Sequence, residues 1–315
     1  MTLLRVGLCP ELTAPVVDKL RACGVRTVLE YLSCERETLT ERTGLAYGDV
    51  IRLRRSLQAI YAPKLRTGAE LYERLLESTA IFSTGSANVD NAVGGGVYTG
   101  RITEIVGAGN SGKTQLCHGL AANLAVSSHF GALYVDALSC FSPERLRQIV
   151  TSVSRGATGS DVRTSTSDVR NETILSKVRH VAVCDLLDIV QVVDQVRDAL
   201  CSAGSKKDEY AFLSNVKMII VDSLTGRRVT RVDRIAVVVT NDFVAGEGGV
   251  MKPALGRYWE DVPSVSLELS LLGDLFDCGE VRELRVVKSP DAGVLGRVVR
   301  FRIVPKGITT AVTNS

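Results

Sequence analysis

The chain of 315 residues is 45% hydrophobic and 5% aromatic, so it can bury a sizeable aliphatic core in one large domain beside a small one. No stretch approaches the roughly 18 apolar residues of a membrane span, and the N-terminus lacks a signal-peptide layout, so we expect no membrane partner. The formal net charge of +3 is nearly neutral, so binding to nucleic acid would depend on local basic patches. The eight cysteines form no C-x-x-C pair and are expected to be reduced thiols.

Residues 1–60 are predicted to form a small helical domain, because apolar residues recur there at helical spacing. A helical bundle with glycine-containing turns can bind the DNA backbone, so this domain is expected to bind DNA or a partner. Arg52, Arg54 and Arg55 form a basic cluster within it. Such a cluster is typical of a solvated helix face and is also suited to contacts with DNA phosphates. Residues 61–80 then form a predicted linker with one short helix.

Residues 81–315 alternate predicted strands with helical stretches, which favours an α/β fold with a mostly parallel central sheet and helices on both faces. The predicted parallel strands are Arg101–Val106, Ala132–Asp136, His180–Val183, Val216–Asp222 and Ile235–Thr240. Residues 154–171, rich in Ser, Thr, Gly and Asp, are expected to be a mobile surface insertion. The last predicted strands follow one another without helices and indicate an antiparallel extension: Ser264–Leu272, Glu280–Ser289 and Arg297–Val304.

The most specific signal in the core is a complete phosphate-binding motif, G-x-x-x-x-G-K-[ST]. It lies between a predicted strand and a predicted helix, where backbone N–H groups and a helix N-terminus face the phosphates of a nucleoside triphosphate. Lys113 would reach the β- and γ-phosphates, and the Thr114 hydroxyl would hold Mg²⁺. The predicted binding residues are Gly107, Ala108, Gly109, Asn110, Ser111, Gly112, Lys113 and Thr114.

A second element of the nucleotide site is the apolar run that ends at Asp222. As a buried central strand, it would place this carboxylate at the carboxyl edge of the sheet, where it can hold Mg²⁺ through water beside Thr114. Asp136 ends an earlier predicted strand in a similar position, and its role stays open, a strand-end cap included.

Several motifs around the phosphate loop resemble the core of the RecA-type strand-exchange recombinases of eukaryotes and archaea. They are Ser83-Thr-Gly85, Gly94-Gly-Gly96, Tyr98-Thr-Gly100-Arg-Ile-Thr-Glu104, Phe141-Ser-Pro-Glu-Arg-Leu146 and Thr240-Asn241. The N-terminal region, with Gly24-Val-Arg-Thr27, looks like the DNA-binding amino-terminal domain of that family. Three further segments look most like the family's D-type paralogues: Arg5-Val-Gly-Leu-Cys-Pro10, Lys252-Pro-Ala-Leu-Gly-Arg257 and Val262-Pro-Ser264.

The resemblance implies a RecA-like P-loop ATPase core preceded by a small all-α N-terminal domain, with ATP and Mg²⁺ as cofactors. It also implies an accessory protein of homologous-recombination DNA repair in the nucleus. Such a protein binds single-stranded or branched DNA and bridges other recombinase paralogues in a heteromeric complex. Arg257, with Tyr258 and Trp259, is a further candidate for contact with DNA or a partner, and Trp259 suits a core position equally well.

Two positions depart from the active members of that family. Leu138 replaces the Glu that polarises the attacking water, and Asp242 replaces the Gln that senses the γ-phosphate. Leucine cannot accept a proton, and general-base assistance contributes roughly 10²–10⁴-fold to a rate. We therefore expect a nucleotide-gated binding protein with weak DNA-dependent ATPase activity at best and no certain catalytic residue.

Other departures concern assembly and DNA contact. Residues 224–234 are too few for a crossover between parallel strands, which takes about a dozen residues or more, so one crossover helix is missing. A splice form or gene-model error, or a genuine shortening, would explain the gap. The linker segment Leu65-Arg-Thr-Gly68 lacks the Phe and Ala through which recombinase filaments assemble, so a homo-filament is not expected. The predicted second DNA loop, 242–252, has a single cation and predicts weak DNA binding.

The sequence leaves two alternative functions open. An active DNA-dependent ATPase or recombinase would show DNA-stimulated turnover, which Leu138 and Asp242 disfavour. An interaction-only protein with a crippled core would act through residues 1–80 and would bind partners without nucleotide.

Overall fold

A computed structural model describes residues 4–62, 65–158, 165–184, 188–189, 191–193, 195–196, 208–223, 234–245, 251–272 and 281–311. The chain divides into two units, Met1–Glu73 and Arg74–Ser315. Among the described residues, no helix is long and apolar enough to cross a membrane.

The first unit is helical, as predicted. Its helices are α1 (Ala14–Ala22), α2 (Val28–Ser33), α3 (Arg36–Thr43) and α4 (Tyr47–Tyr61). Their apolar stripes meet in one buried cluster that includes Leu12, Leu20, Tyr31 and Leu53. A capping box begins α2, because the Thr27 hydroxyl accepts from the Glu30 N–H and the Glu30 carboxylate accepts from the Thr27 N–H. The division between the units falls within α5 (Gly68–Ser78), none of whose side chains is buried.

The second unit alternates strands and helices. In chain order, its elements are β1 (Ile81–Phe82), α6 (Ala87–Val93), β2 (Val97–Tyr98), β3 (Ile102–Gly107), α7 (Lys113–Ser127), β4 (Gly131–Asp136), α8 (Pro143–Thr158), α9 (Ser165–Leu175), β5 (Val178–Ala182), α10 (Asp208–Ser214), β6 (Val216–Asp222), β7 (Ala236–Ala245), β8 (Met251–Pro253), α11 (Arg257–Glu260), β9 (Val265–Leu272), β10 (Val281–Lys288), β11 (Val298–Val304) and β12 (Gly307–Thr310).

Most described strands of this unit form one sheet in the order β12-β11-β10-β9-β3-β7-β6-β4-β5, with β8 paired to β7. The neighbours from β9 to β5 run parallel. The strands β9, β10, β11 and β12 are antiparallel to one another in succession. A parallel sheet with an antiparallel extension is therefore confirmed, and β1 pairs with β2 in a separate small ribbon.

The central strands bury side chains on both faces of the sheet. Along β6, Met218 and Ile220 join one apolar cluster, whereas Ile219 and Val221 join the cluster on the other face. Successive side chains of a strand point to opposite faces, so a near-continuous apolar strand needs a layer of helices on each face. Because β3, β6 and β7 run parallel, their carboxyl ends lie at the same edge of the sheet.

The structure corrects the predicted insertion over 154–171. Helix α8 continues to Thr158 and α9 begins at Ser165, so both ends of the segment are helical. Apolar residues at helical spacing, Leu146, Ile149 and Val150, bury one face of α8 and outweigh the polar composition that follows. Residues 159–164 lie outside the described part, as do 224–233 of the short connection predicted between β6 and β7.

The predicted DNA loop after Asn241 is shorter than expected. Strand β7 continues to Ala245, and Phe243–Ala245 pairs antiparallel with β8. Residues 246–250, between these two strands, lie outside the described residues.

Candidate nucleotide-binding site

The predicted phosphate loop joins β3 to α7 at the carboxyl edge of the sheet. Two of its glycines leave no room for a side chain. A Cβ on Gly107 would lie 2.5 Å from the Leu269 carbonyl oxygen and from Ser111 Oγ. Gly112 has a φ of +104°, and its Cβ would lie 2.9 Å from Ile303 Cδ1. The glycines at the fixed positions of the motif are therefore required by the way the loop folds.

The loop opens into a cleft of about 420 Å³, which its own residues line together with side chains from the antiparallel strands. The lining residues are Asn110, Gly112, Lys113, Thr114, Gln115, Leu271, Arg282 and Ile303. Helix α7 begins at Lys113, so the free N–H groups of its first turn, at the positive end of the helix dipole, lie at the cleft and favour an anion there. Ser111 Oγ is buried and has no hydrogen-bond partner among the described residues. The donors at the helix N-terminus and the space of the cleft fit a polyphosphate.

The lysine of the motif is held against the loop. Lys113 Nζ donates to the carbonyl oxygens of Gly107 at 2.8 Å and Ala108 at 2.9 Å. It also lies 2.8 Å from Oδ1 of Asp242, a residue of β7. The residue that replaces the expected glutamine thus forms an ion pair with the phosphate-loop lysine.

Asp222, predicted to hold Mg²⁺, ends β6 as a buried carboxylate. One oxygen accepts from the Tyr134 hydroxyl at 2.6 Å and the other from Thr240 Oγ1 at 2.6 Å. Burial raises the pKa of Tyr134 far above its ordinary value, so the phenol stays protonated and donates. Nothing in the sequence pattern pointed to these two anchors, which come from the neighbouring strands β4 and β7.

His118 connects the phosphate-loop helix to the turn after β4. Its Nε2 lies 3.1 Å from the Ser142 backbone nitrogen, and its Nδ1 lies 2.8 Å from the Thr114 carbonyl oxygen. Because a backbone N–H can only donate, Nε2 is the acceptor and Nδ1 carries the proton. Burial lowers the pKa of His118, which favours this neutral form. Its ring stacks on Phe141 at a centroid distance of 5.2 Å.

Asp136 acts as the cap of the turn that follows β4. Its oxygens accept from the backbone N–H groups of Leu138 (3.2 Å), Cys140 (3.1 Å) and Phe141 (3.0 Å). His180 Nε2 lies 3.3 Å from the same carboxylate. Burial raises the pKa of Asp136, but these hydrogen bonds outweigh it and hold the pKa below its ordinary value.

We expect Asp136→Asn to lower the free energy of unfolding by about 1–3 kcal/mol at pH 7, because the amide cannot replace both acceptor oxygens. The native stabilisation exists above the unfolded-state pKa and is lost as the pH falls through the lower folded-state pKa. The difference between native and variant proteins should therefore shrink between about pH 5 and pH 3. Denaturant unfolding at several pH values measures it, and a difference that grows on acidification would contradict the assignment.

Leu138, at the position of the expected glutamate, lies in the turn that Asp136 caps. Its side chain is 53% exposed. The neighbouring carboxylate of Asp136 is committed to the backbone of the turn, so it is not free to act as a base for water.

The three arginines of the predicted basic cluster on α4 make different contacts. Arg54 donates to the carbonyl oxygens of Leu32 and Cys34, which caps the end of α2. Arg52 forms an ion pair with Asp49 on the same helix, and Arg55 is exposed. Arg54 therefore stabilises the packing of the helical unit, whereas Arg52 and Arg55 lie at its surface.

Trp259 lies in the core. It is 2% exposed, and its indole Nε1 donates to Glu104 Oε1 at 2.7 Å. The same carboxylate accepts from Asn241 Nδ2 and Ser266 Oγ, each at 2.8 Å. Arg257 begins α11, but its side chain lies outside the described part of the chain.

Comparisons with known proteins agree with this architecture. Residues 1–59 match the family RAD51D, N-terminal domain, and residues 76–309 match the family Rad51. The chain is 31% identical to DNA repair protein RAD51 homolog 4 of Bos taurus, with 92% of each chain covered. It is 33% identical to the protein of the same name from Mus musculus, with 92% of this chain and 91% of that protein covered.

Among solved structures, the crystal structure of the RadB recombinase has the same fold, with a TM-score of 0.50 and 22% identity. The match covers 73% of this chain and 100% of that chain. Proteins of the Rad51 family bind nucleotide and DNA. The chain belongs to the Rad51 family of DNA repair and homologous-recombination proteins, with a RecA-like core of the ATP-binding kind and an N-terminal domain of the RAD51D type.

Proposed function

We propose that the chain is an ATP-binding accessory protein of homologous-recombination DNA repair, which acts in the nucleus on single-stranded or branched DNA and bridges recombinase-paralogue partners. The observation that carries the proposal is the phosphate loop at 107–114. Its glycines stand where a side chain would clash, and Lys113 and Thr114 line a cleft at the N-terminus of α7. This arrangement fits the phosphates of ATP.

Thr114 and Asp222 would hold Mg²⁺, which when bound offsets the charge of the triphosphate. Hydroxyl and carboxylate oxygens are ligands that this ion prefers. Each oxygen of Asp222 accepts one hydrogen bond, from Tyr134 or Thr240, and keeps lone-pair capacity for a water bound to the ion.

We propose that the protein binds ATP and does not hydrolyse it rapidly. Leu138 offers no group that accepts a proton, and Asp136 is held by the backbone of the same turn. ATP would then act as a bound effector that changes the protein's affinity for its partners, with weak DNA-dependent turnover at most.

Heteromeric assembly is supported by the linker region. Leu65 is fully exposed, and the Phe and Ala expected of a filament anchor are missing from its segment. Helix α5 carries an exposed apolar face, formed by Leu71, Tyr72, Leu75 and Leu76. Exposed apolar faces of this kind mark protein interaction sites. We therefore propose contact with a different recombinase paralogue instead of a homo-filament.

Calorimetric titration with ATP and Mg²⁺ tests the nucleotide site. Lys113→Ala is expected to weaken ATP binding at least about tenfold, because a charge-assisted contact to phosphate is lost. Lys19→Ala, which removes the same charge from an exposed position on α1, is the matched control and should bind within about twofold of the native chain. Native affinity in Lys113→Ala would contradict binding at this loop.

Partner bridging is tested separately, by capture of two differently tagged recombinase paralogues on the full chain at fixed salt. Joint capture that increases with ATP in the native chain, but not in Lys113→Ala, would support an ATP-dependent bridge. Equal joint capture without nucleotide would favour the interaction-only function.

A further inference from the structure

Asp242 on β7 and two carbonyl oxygens of the phosphate loop together can accept from all three donors of Lys113. Lys113 Nζ contacts Asp242 Oδ1 at 2.8 Å and the carbonyl oxygens of Gly107 and Ala108 at 2.8 and 2.9 Å. An ammonium group has three N–H donors. The chain's own oxygens can therefore accept all of them, and a phosphate must displace at least one.

Of the three acceptors, the Asp242 carboxylate is the one best placed to leave. Its side chain is 50% exposed, whereas that of Lys113 is only 10% exposed. The other two acceptors are backbone oxygens of the loop itself and cannot move away without refolding it. The carboxylate can rotate into solvent, so it is the group that a phosphate would replace.

Strand β7 places Asp242 beside the phosphate loop. The parallel register places Asp242 opposite Gly107, the first residue of the loop. The two preceding residues, Thr240 and Asn241, each donate a buried side-chain hydrogen bond, at 2.6 and 2.8 Å. The backbone position from which the carboxylate reaches the lysine is therefore anchored, while the side chain itself can still rotate.

We propose that Asp242 is an internal competitor of the nucleotide's terminal phosphates for Lys113, and that it sets how strongly the site prefers a triphosphate over a diphosphate. This inference rests on the proposed binding of nucleotide at the loop. A carboxylate beside the terminal phosphate repels it, and the repulsion grows with the negative charge at that end. Asp242 therefore lowers the affinity for ATP more than the affinity for ADP.

Asp242→Asn is the direct test, because the amide keeps the size and one acceptor oxygen but removes the charge. We expect it to raise the affinity for ATP about five- to twentyfold at about 0.1 M salt, and the affinity for ADP at least about threefold less than that. The gain should shrink at about 0.5 M salt. Titration calorimetry with each nucleotide measures both affinities.

Glu172→Gln is the matched control, because it also removes one exposed carboxylate. Glu172 lies near the end of α9, which leads into β5 at the amino edge of the sheet, opposite the phosphate loop. Its nucleotide affinities should equal those of the native chain. Equal gains in the two variants would overturn the proposal, because the effect would then be one of net charge alone.

Thermal unfolding separates competition from a merely structural role. Without nucleotide, Asp242→Asn should leave the midpoint unchanged or lower, because the ion pair is lost. With saturating ATP, the same variant should gain more in midpoint than the native chain gains. A variant that is less stable in both conditions, with unchanged ATP affinity, would overturn the proposal.

Failure of the inference and failure of the proposed function give different results. If the native chain binds ATP and Asp242→Asn binds it equally, only the competition is overturned. If neither the native chain nor Asp242→Asn binds ATP, nucleotide binding itself is overturned and the inference falls with it. Binding that becomes measurable only in Asp242→Asn would support both.

Discussion

A Leu138→Glu variant is expected to hydrolyse ATP about 10²-fold faster than the native chain in the presence of single-stranded DNA. Leu138 is 53% exposed, and its backbone N–H donates to Asp136 at 3.2 Å. A glutamate therefore fits this turn without repacking the core and starts from a fixed backbone position. General bases contribute roughly 10²–10⁴-fold, and the lower end is expected because an exposed side chain is not held in one rotamer.

Release of inorganic phosphate at saturating ATP and Mg²⁺ measures this effect. Leu138→Gln is the matched control, since it has nearly the same size and polarity without a group that can accept the proton. It should hydrolyse ATP at the native rate, and adding Lys113→Ala to the Glu variant should abolish the gain. Equal rates in the Glu and Gln variants would mean that position 138 does not limit hydrolysis.

The elements that the sequence predicted correctly are those whose signal is local. The run Val216–Asp222 forms β6 with the predicted limits, because a continuous apolar stretch bounded by polar residues is typical of a strand buried on both faces. The phosphate-loop motif is equally local, and steric contacts at Gly107 and Gly112 explain its fixed glycines. The polar residues over 154–158 give no helical signal of their own, because they extend an amphipathic helix whose apolar part lies earlier in the chain. Composition alone therefore predicts an insertion there.

The contacts that the sequence could not predict join residues that are far apart in the chain. Arg54 belongs to a basic cluster in the sequence, but its carbonyl acceptors at the end of α2 become its neighbours only when the helices pack. The ion pair between Lys113 and Asp242 likewise depends on the register of β3 and β7. Glu104 offers a weak sequence signal for such contacts, since an acid inside a mostly apolar strand needs polar partners when it is buried.

Those partners connect Glu104, in the middle of β3, to three other elements of the second unit. Its carboxylate is 4% exposed and accepts from side chains on β7, α11 and β9: Asn241, Trp259 and Ser266. Asn241 directly precedes Asp242. Its hydrogen bond to Glu104 therefore anchors the part of β7 that places Asp242 beside the phosphate loop. Removing the carboxylate leaves three buried donors without an acceptor, and each such group costs about 1–3 kcal/mol.

Glu104→Ala is therefore expected to lower the free energy of unfolding of the second unit by about 3–5 kcal/mol, whereas Glu104→Gln should lose only about 1–2 kcal/mol. The amide keeps an oxygen for Asn241 and Trp259, and its NH₂ group can donate to Ser266, whose hydroxyl then acts as acceptor. Trp259 is the chain's one tryptophan, so its emission follows this unit in denaturant titrations. Glu172→Ala, at an exposed position on α9, controls for loss of a carboxylate. Equal losses in the Ala and Gln variants would show that burial of charge, and not satisfaction of the three donors, governs this site.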